Sequence, residues 1–324
     1  MVGELITAGE PMGLFIAQDK GPLKNVKHFT SRIAGADLNV AIGVARLNHT
    51  VKFISQIGKD TFGEQIKELL QNEKVNLTDL QISADWKTGF MLKNLADNGR
   101  PETDYYRKES AASHIDPKKL AFTDFADTKI LHLGGILVGL SDEGYQATLK
   151  LIELARKHDV QITFDPNLRP TIWNSEGLMI KRTNEIANLC DVVLPNIKEG
   201  RILTGKTAVE EIANYYLEDP KSHVQQVIVN LVDDGAYSKH RQLSGNYRTE
   251  RVGAIKVSKI VDRVGAGDGF VAGVLSAKLE NLSDRDCLRR GSAVGAIQME
   301  NLGDNEGLPN LNELNEFMSK VTIG

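Results

Sequence analysis

Short apolar runs alternate with helix-like patterns along most of this 324-residue chain, and this alternation limits the folds that it can adopt. The apolar runs that predict strands are residues 5–8, 51–55, 129–133, 161–164, 192–194 and 227–231. Apolar side chains recur at helical spacing in residues 38–47, 62–70, 143–157 and 178–188, which lie between those runs. Strand–helix alternation with apolar strands predicts a mostly parallel sheet that is covered by helices on both faces.

Residues 12–33 and 87–113 interrupt this alternation. Both segments are rich in Thr, Lys, Gly and aromatic residues and show little helical periodicity. We expect them to form a small second sheet, although ordinary surface hairpins would have the same composition. Because ligands bind outside the carboxyl ends of parallel strands, a small sheet at that edge would act as a lid. Residues 1–324 are therefore expected to form one domain that carries this lid.

Composition argues against several classes of protein. The 39 basic and 43 acidic residues give a net charge of −4, without the basic excess of a nucleic-acid-binding domain. Cys190 and Cys287 are too few for a disulfide framework, so each is expected to be a buried apolar residue in a reducing compartment. No apolar run approaches the roughly 18 residues of a membrane helix, and the start resembles no signal peptide. We therefore expect a cytoplasmic protein that binds neither nucleic acid nor a membrane.

One glycine-rich segment, DRVGAGDGF at residues 262–270, combines features of a catalytic site. Period-two alternation over residues 255–261 predicts a strand before it, and helical spacing from Phe270 onward predicts a helix after it. Residues 262–268 are called the glycine turn below. This turn matches neither the Walker pattern nor Gly-x-Gly-x-x-Gly, and an ordinary tight loop is the alternative interpretation.

The glycine turn could hold a phosphate beside a proton acceptor. Gly265 and Gly267 let the backbone approach a ligand without interference from a Cβ atom. The N–H groups of Ala266, Gly267 and Asp268, at the predicted helix start, could hold an anion. The Asp268 carboxylate lies within the same turn and could accept a proton. A phosphate cradle beside such a base is what phosphoryl transfer to an alcohol requires.

Further motifs accompany this turn. They are AGADLNVA (34–41), VKFISQIGKD (51–60), DPNLR (165–169) and NIKE (196–199). Together with the turn they resemble the PfkB (ribokinase-like) carbohydrate kinase family over nearly the whole chain. The resemblance implies an α/β protein with a ribokinase-like three-layer α/β/α fold, a mostly parallel central sheet and a small β-sheet lid. It also implies ATP and Mg²⁺ as cofactors, and it leaves open a monovalent cation and a homo-oligomer formed through the lid.

Three more segments are similar to family members that phosphorylate 2-keto-3-deoxygluconate. They are GEPM (9–12), YYRKESAAS (105–113) and GDNEGLP (303–309). The implied reaction is phosphoryl transfer from ATP to the 6-hydroxyl of this sugar acid. In an extended strand Tyr105 and Arg107 share one face, and Arg169 would add a second guanidinium to grip a carboxylate. Alternatively, Arg107 is a solvated residue beside Asp104, Arg169 braces its loop through Asp165, and Tyr105 packs in the lid.

The resemblance also implies sugar contacts near the first strand and the first long helix. These are Gly9, Glu10, Gly35 and Asn39. Gly35 would permit close approach of the substrate, and the Asn39 amide offers both a donor and an acceptor to hydroxyl groups. A loop carboxylate at residue 10 and an ordinary helix start at residues 35–39 are the alternatives.

On the nucleotide side the resemblance implies contacts from Asn196, Asn230, Asp234, Gly235 and Ser292. Glu199 lies three residues after Asn196, on the same face of a helical turn, and would hold Mg²⁺ through water. A plain helix-capping pair is the alternative for these two residues.

Several positions on the nucleotide side depart from the family pattern. Val232 stands where a glycine would admit the nucleotide, and Arg263 stands where many relatives carry threonine. Asn230 and Ser292 also differ from the residues usual there. These departures leave open a catalytically weak sugar-acid-binding or regulatory protein. Within the enzymes, a kinase for another sugar such as fructose is a separate alternative. A dinucleotide-binding protein is disfavoured, because no glycine fingerprint follows the first strand.

Overall fold

A computed structural model describes residues 3–95, 101–257 and 259–321. The strands are β1 (Leu5–Ala8), β2 (Met12–Lys20), β3 (Phe29–Ala34), β4 (Val51–Gly58), β5 (Leu80–Ser83), β6 (Phe90–Leu95), β7 (Thr103–Tyr106), β8 (Ile130–Gly134), β9 (Gln161–Asp165), β10 (Val192–Val193), β11 (Gln226–Asn230), β12 (Ala236–Arg241) and β13 (Tyr247–Val252). The helices are α1 (Ala36–Arg46), α2 (Thr61–Asn72), α3 (Gly135–Leu140), α4 (Asp142–Lys157), α5 (Glu176–Asn188), α6 (Ile197–Thr204), α7 (Val209–Leu217), α8 (Ala266–Leu279), α9 (Asp284–Met299) and α10 (Leu311–Lys320).

The main sheet has the strand order β13-β12-β11-β10-β9-β8-β1-β4-β5. Neighbouring strands from β11 to β5 in this order are parallel, whereas β12 and β13 extend the sheet in antiparallel pairing. The loops that follow β1, β8, β9 and β10 therefore emerge at one edge of the sheet. This edge is where ligands bind in open α/β sheets.

Alternate residues of the central strands face two separate cores. Leu5 and Phe53 pack in one apolar cluster with residues of α1, α2, α8, α9 and α10. Ile6 and Ile54, their neighbours in the chain, pack in a second cluster with residues of α3, α4, α5 and α7. Because successive strand side chains point to opposite faces, strands that are apolar at every position become buried on both sides. The predicted parallel sheet with helices on both faces is confirmed.

One predicted strand is wrong. No strand occurs in residues 253–257 and 259–265, where period-two alternation predicted one, and residue 258 lies outside the described residues. The backbone N–H groups of Val261 and Asp262 instead donate to the carbonyl of Met299, at the end of α9, at 2.8 and 3.2 Å. Alternation reports which side chains face inward, but a strand also needs a pairing partner. The helix predicted after the glycine turn is confirmed as α8.

The two irregular segments form a separate four-stranded sheet with the order β3-β2-β6-β7, which we call the small sheet. The predicted second sheet is thereby confirmed, although residues 96–100 of it lie outside the described residues. Its own core is small and consists of Met12, Leu14, Ile16, Ala34 and Met91, with Leu95 packed against it. The small sheet therefore relies on other contacts to keep its position against the main domain.

Two expectations from composition concern cysteine and membrane segments. Cys190 and Cys287 are buried free thiols, as predicted. Within the part of the chain that the structure describes, no helix is long and apolar enough to cross a membrane.

Candidate active site

A cavity of about 360 Å³ opens beside the glycine turn. The small sheet contributes Met91, Lys93 and Tyr105 to its wall, and the loop after β9 contributes Asp165 and Arg169. Eleven of the predicted site residues line it: Gly35, Asn39, Tyr105, Arg107, Arg169, Asn196, Glu199, Asn230, Gly265, Gly267 and Asp268. The fold thus brings together motifs that are far apart in sequence.

The glycine turn passes directly into α8. Gly265 caps this helix with φ of 77°, a left-handed conformation that favours glycine. A Cβ atom on Gly265 would also overlap the carbonyl oxygen of Asp304. Gly267, in contrast, has no neighbour within 4 Å of such an atom and borders open space. The first N–H groups of α8, at Ala266, Gly267 and Asp268, lack acceptors within the helix. Gly267 and Asp268 line this cavity.

Asp268 is held by a short series of amide side chains. The Asn39 Nδ2 atom donates to Asp268 Oδ2 at 2.7 Å, and Asn305 Nδ2 donates to Asn39 Oδ1 at 3.0 Å. Loss of hydration raises the pKa of Asp268 to about 7, against the opposing effects of the Asn39 hydrogen bond and the charge of Arg169. A carboxylate with such a pKa suits general-base catalysis near neutral pH. Asn39, predicted as a sugar contact, thus also orients Asp268.

The raised pKa of Asp268 predicts an acidic limb in the pH profile. Because only the unprotonated carboxylate can accept a hydroxyl proton, kcat/KM should rise about tenfold per pH unit at low pH and level off near pH 7. The measurement is kcat/KM for the sugar, at saturating ATP, from about pH 5 to about pH 9. An Asp268→Asn variant should lack this limb. A flat wild-type profile over the same range would contradict the role of Asp268.

Four further carboxyl groups near the cavity also have raised pKa values, and at Asp304 the effect of burial outweighs the opposing charge of Lys93. Burial and the charge of Asp268 raise the pKa of Asp37 to about 8. Burial also raises the pKa of Asp165, with the charge of Glu199 adding to the effect, and burial raises that of Glu199. At neutral pH this group of acids therefore keeps some of its protons, and its titration is shared among its members.

Residue 9 must be a glycine for a structural reason that the sequence did not indicate. A Cβ atom on Gly9 would overlap the carboxylate of Asp37, and one on Gly134 would do the same from another side. Gly9 does not line the cavity. Gly9 makes room for Asp37, which does not line the cavity either, so the predicted sugar contact of Gly9 stays a prediction.

Arg107 is paired with Glu10 in the cavity wall. Arg107 Nε donates to Glu10 Oε2 at 2.7 Å and its Nη2 contacts the same oxygen, while Ser110 Oγ donates to Glu10 Oε1. Glu10 is buried behind Arg107 and does not itself line the cavity. The ring of Tyr105 lies 5.4 Å from the Arg107 guanidinium carbon. Arg107 is buried, so the alternative of a solvated residue beside Asp104 is wrong, and Asp104 accepts a hydrogen bond from Tyr106.

Arg169 and Gly35 also line the cavity. Arg169 donates from Nη1 to the carbonyl of Leu168 at 3.0 Å, while Asp165 accepts from the backbone N–H of Asn167. Gly35 has φ of 143°, and a Cβ atom there would meet the carbonyl oxygen of Glu10 at 2.5 Å. Only glycine fits where the chain passes Glu10 so closely.

Asn196 and Glu199 form a capping box at the start of α6. Asn196 Oδ1 accepts from the backbone N–H groups of Lys198 and Glu199, and Glu199 Oε2 accepts from the N–H of Asn196 at 3.0 Å. The other Glu199 oxygen accepts from the N–H of Leu168 at 2.9 Å. The capping alternative is therefore realised. Both side chains also line the cavity, so their predicted ligand roles stay open.

A second cavity of about 230 Å³ adjoins the first across the glycine turn. The residues that line both cavities are Asn196, Asn230, Arg263, Gly267 and Phe270. Ala266, Gly235 and Ser292 line only the second. A Cβ atom on Gly235 would overlap the carbonyl oxygen of Val252, so a close backbone contact requires this glycine. Asp234 is exposed and lines neither cavity, whereas its neighbour Asp233 lines the second.

The two unusual residues on this side occupy the second cavity's wall. Val232 has φ of 60°, a conformation that costs energy for a β-branched side chain, and its side chain is 48% exposed. Asn230 Oδ1 accepts a hydrogen bond from the backbone N–H of Val232 at 2.8 Å and thereby fixes this turn. Arg263 Nη1 lies 3.3 Å from Asp233 Oδ1, and the Asp233 side chain is mostly exposed. An ion pair with so exposed a carboxylate is weak, and Arg263 lines both cavities.

Sequence reasoning missed Lys93, Thr103 and Asp304 in the cavity wall. Asp304 belongs to the quoted segment 303–309, but no role was given to it. Lys93 lies in a segment that composition marked only as irregular. A lysine on the buried face of a strand, two residues after the buried Met91, is the signal that period-two alternation offered.

Comparison with known proteins agrees with this fold. The pattern of pfkB family carbohydrate kinases matches residues 3–311. The 2-dehydro-3-deoxygluconokinase of Bacillus subtilis (strain 168) is 38% identical over 98% of this chain and 95% of its own length. A crystal structure of a PfkB protein from Polaromonas sp. JS666 is 35% identical, with a TM-score of 0.86 over 97% of this chain and 99% of the other.

A more distant structure shows the same fold. A putative Ribokinase II of E. coli, solved in complex with ATP and Mg²⁺, has a TM-score of 0.87 at 22% identity, over 99% of this chain and all of the other. The full-length family match and the 38% identity carry the assignment. The chain belongs to the pfkB family of carbohydrate kinases and is a phosphotransferase that acts on a sugar hydroxyl.

Proposed function

We propose that this protein transfers the γ-phosphoryl group of ATP to the 6-hydroxyl of 2-dehydro-3-deoxygluconate, also called 2-keto-3-deoxygluconate. The observation that carries the proposal is that Arg107 and Arg169 line the same cavity as the base Asp268. A guanidinium binds a carboxylate through a planar fork, so two of them favour a sugar acid over a neutral sugar. The similarity to the Bacillus subtilis kinase supports the same substrate class.

In this proposal the two arginines hold one end of the sugar acid and orient its other end. Asp268 accepts the proton of the attacking hydroxyl, and that oxygen forms a bond to the γ-phosphorus as the bond to ADP breaks. The N–H groups at the start of α8 stabilise charge that develops on the transferred group. Positioning of the two reactants supplies much of the acceleration.

The second cavity is the proposed nucleotide site, with Gly235 and Ser292 in its wall and Arg263 at its junction with the first. Oxygen ligands suit Mg²⁺, and Glu199, Asp165 and Asn196 would hold it mainly through water. Among the described residues no group of three or more His, Cys, Asp or Glu side chains is placed to hold a metal by itself. Bound Mg²⁺ neutralises charge on the phosphates. A monovalent cation requirement remains a prediction.

An assay of ADP release across a panel of substrates tests this proposal. The panel contains 2-keto-3-deoxygluconate, its galactonate-derived epimer, gluconate, fructose and ribose, each with ATP and Mg²⁺. We expect the highest kcat/KM for one of the 2-keto-3-deoxy sugar acids. Preference for fructose would support the neutral-sugar alternative. Binding of the sugar acid without ATP turnover would support the weakly catalytic or regulatory alternative.

Two other expectations remain proposals. A reducing compartment such as the cytoplasm is supported by the two buried free thiols. A homo-oligomer through the small sheet is supported by its partly exposed aromatic side chains, among them Phe15, Phe90 and Tyr106. Sedimentation of the purified protein would test the latter.

A further inference from the structure

Lys93 is a buried lysine that crosses from the small sheet to the glycine turn. Its side chain is only 2% exposed. The Nζ atom lies 2.7 Å from Asp262 Oδ2 and 3.1 Å from Asp304 Oδ1, and both carboxylates are buried. These contacts join residues separated by 169 and 211 positions in the sequence. One ammonium group therefore connects three distant segments of the chain.

Both carboxylates touch the glycine turn. Asp262 begins it, and its Oδ1 atom accepts from the N–H of Val264 at 3.1 Å. The backbone carbonyl of Asp304 packs against Gly265 so closely that no Cβ atom would fit between them. A shift of Lys93 Nζ would therefore disturb contacts on both sides of the glycine turn.

Asp304 is also connected to Asp268, the proposed base, through hydrogen bonds of its neighbour in the chain. Its neighbour Asn305 donates to Asn39 Oδ1 at 3.0 Å and also to the carbonyl of Ile33, in the small sheet. Asn39 in turn donates to Asp268 at 2.7 Å. A shift of the loop at residues 304–305 would therefore move the groups that orient Asp268.

A buried ion pair of this kind contributes little net stability to the fold. Removal of a lysine and two carboxylates from water is unfavourable, and an apolar residue of similar volume would often pack equally well. Lys93 follows Met91 on the buried face of β6, where an apolar side chain would continue the core of the small sheet. The two carboxylates around Lys93 Nζ form a site that attracts a cation strongly.

We propose that Lys93 is a positioning residue, whose ammonium group couples the small sheet to the glycine turn and so fixes the catalytic geometry at Asp268. This inference rests on the proposed function. Lys93 need not touch the substrates, since it acts through Asp262 and Asp304. Loss of the ammonium should misplace the turn and the base while leaving the rest of both cavity walls in place.

The test compares Lys93→Ala with Lys93→Met. We expect kcat of both variants to fall about 100-fold, the cost of a small misplacement of reacting groups, with smaller changes in either KM. Alanine leaves a void between two carboxylates, which ammonium or methylammonium can enter, whereas methionine fills it. Ammonium or methylammonium chloride should therefore restore much of kcat in Lys93→Ala but not in Lys93→Met. Tetramethylammonium chloride at equal ionic strength is the control salt.

Lys52→Ala is the matched control for loss of a buried ammonium. Lys52 is similarly buried near the start of β4, at the opposite edge of the sheet, and its Nζ lies 3.1 Å from Asp79 Oδ2. The Lys52→Ala substitution should lower the melting temperature without changing kcat. Wild-type kcat in both Lys93 variants would overturn the inference, as would a kcat loss in Lys93→Ala that neither small cation restores. If Lys93→Ala does not fold, Lys93→Met decides, and wild-type kcat in it would overturn the inference.

The wild-type assay separates this inference from the proposed function. A wild type that turns over no sugar would contradict the proposed function and remove the basis for a role of Lys93. An active wild type with unimpaired Lys93 variants would contradict only the positioning role.

Discussion

Replacement of Asp268 by asparagine should lower kcat by about 10²- to 10⁴-fold, the usual contribution of a general base. Asparagine keeps the shape of the side chain but cannot accept the hydroxyl proton. Because the proton moves only in the transition state, KM for either substrate should change little. Steady-state kinetics with ATP and the preferred sugar measures this effect, and a melting curve checks that the variant is folded.

Asp37→Asn provides the control for this experiment. Burial raises the pKa of Asp37 to about 8, so its carboxyl is mostly protonated at neutral pH and resembles an amide. It lies behind Gly9 rather than in the cavity wall, and asparagine there should retain turnover at neutral pH. An Asp268→Asn variant that kept most of its kcat would refute the assignment of the base.

Replacement of Arg107 by alanine should weaken both the fold and the grip on a sugar acid. Glu10 would be left buried without its cation, an arrangement that costs about 3–5 kcal/mol of unfolding free energy. Loss of a charged hydrogen bond to the ligand, worth about 1.5–3 kcal/mol, should raise KM for the sugar acid roughly 10- to 100-fold. Urea denaturation measures the first effect and steady-state kinetics the second.

A second substitution separates the two effects of Arg107. In Arg107→Ala/Glu10→Gln the buried charge is gone, so much of the unfolding free energy should return while KM stays high. Arg156→Ala, which breaks a pair with Asp191 far from the cavity, should leave KM unchanged. An unaltered KM for the sugar acid in Arg107→Ala would favour the neutral-sugar alternative. Recovery of a low KM in the double variant would assign Arg107 a purely structural role.

Much of the fold was predictable because its signals are local. Apolar runs at β1, β4 and β8 and helical spacing in α1 and α4 depend on neighbours within one or two turns of chain. The wrong strand at residues 255–261 shows the limit of such signals. Its alternation is real, but a strand also requires a partner strand, and here the chain bonds to Met299 at the end of α9.

The cavity was predictable only in part. The glycine turn, Arg107 and Arg169 were found because motif resemblance supplied their roles, and the structure brings them to one cavity. The side chains that contact these residues were not predicted from the sequence. Nothing near Arg107 in sequence indicates Glu10, which lies 97 positions away. Gly9 was predicted as a sugar contact, and nothing near it in sequence indicated that a Cβ atom there would overlap the carboxylate of Asp37.

By itself the sequence determined the layered α/β architecture, the small second sheet and the turn that carries Asp268. Each follows from residue spacing within a short segment, where backbone geometry converts pattern into structure. Only the tertiary structure decided how Asp268 is oriented, why its pKa is near neutral, and what Lys93 touches. Burial and ion pairing depend on residues that meet only after folding, since loss of water around a charge is a property of the assembled site.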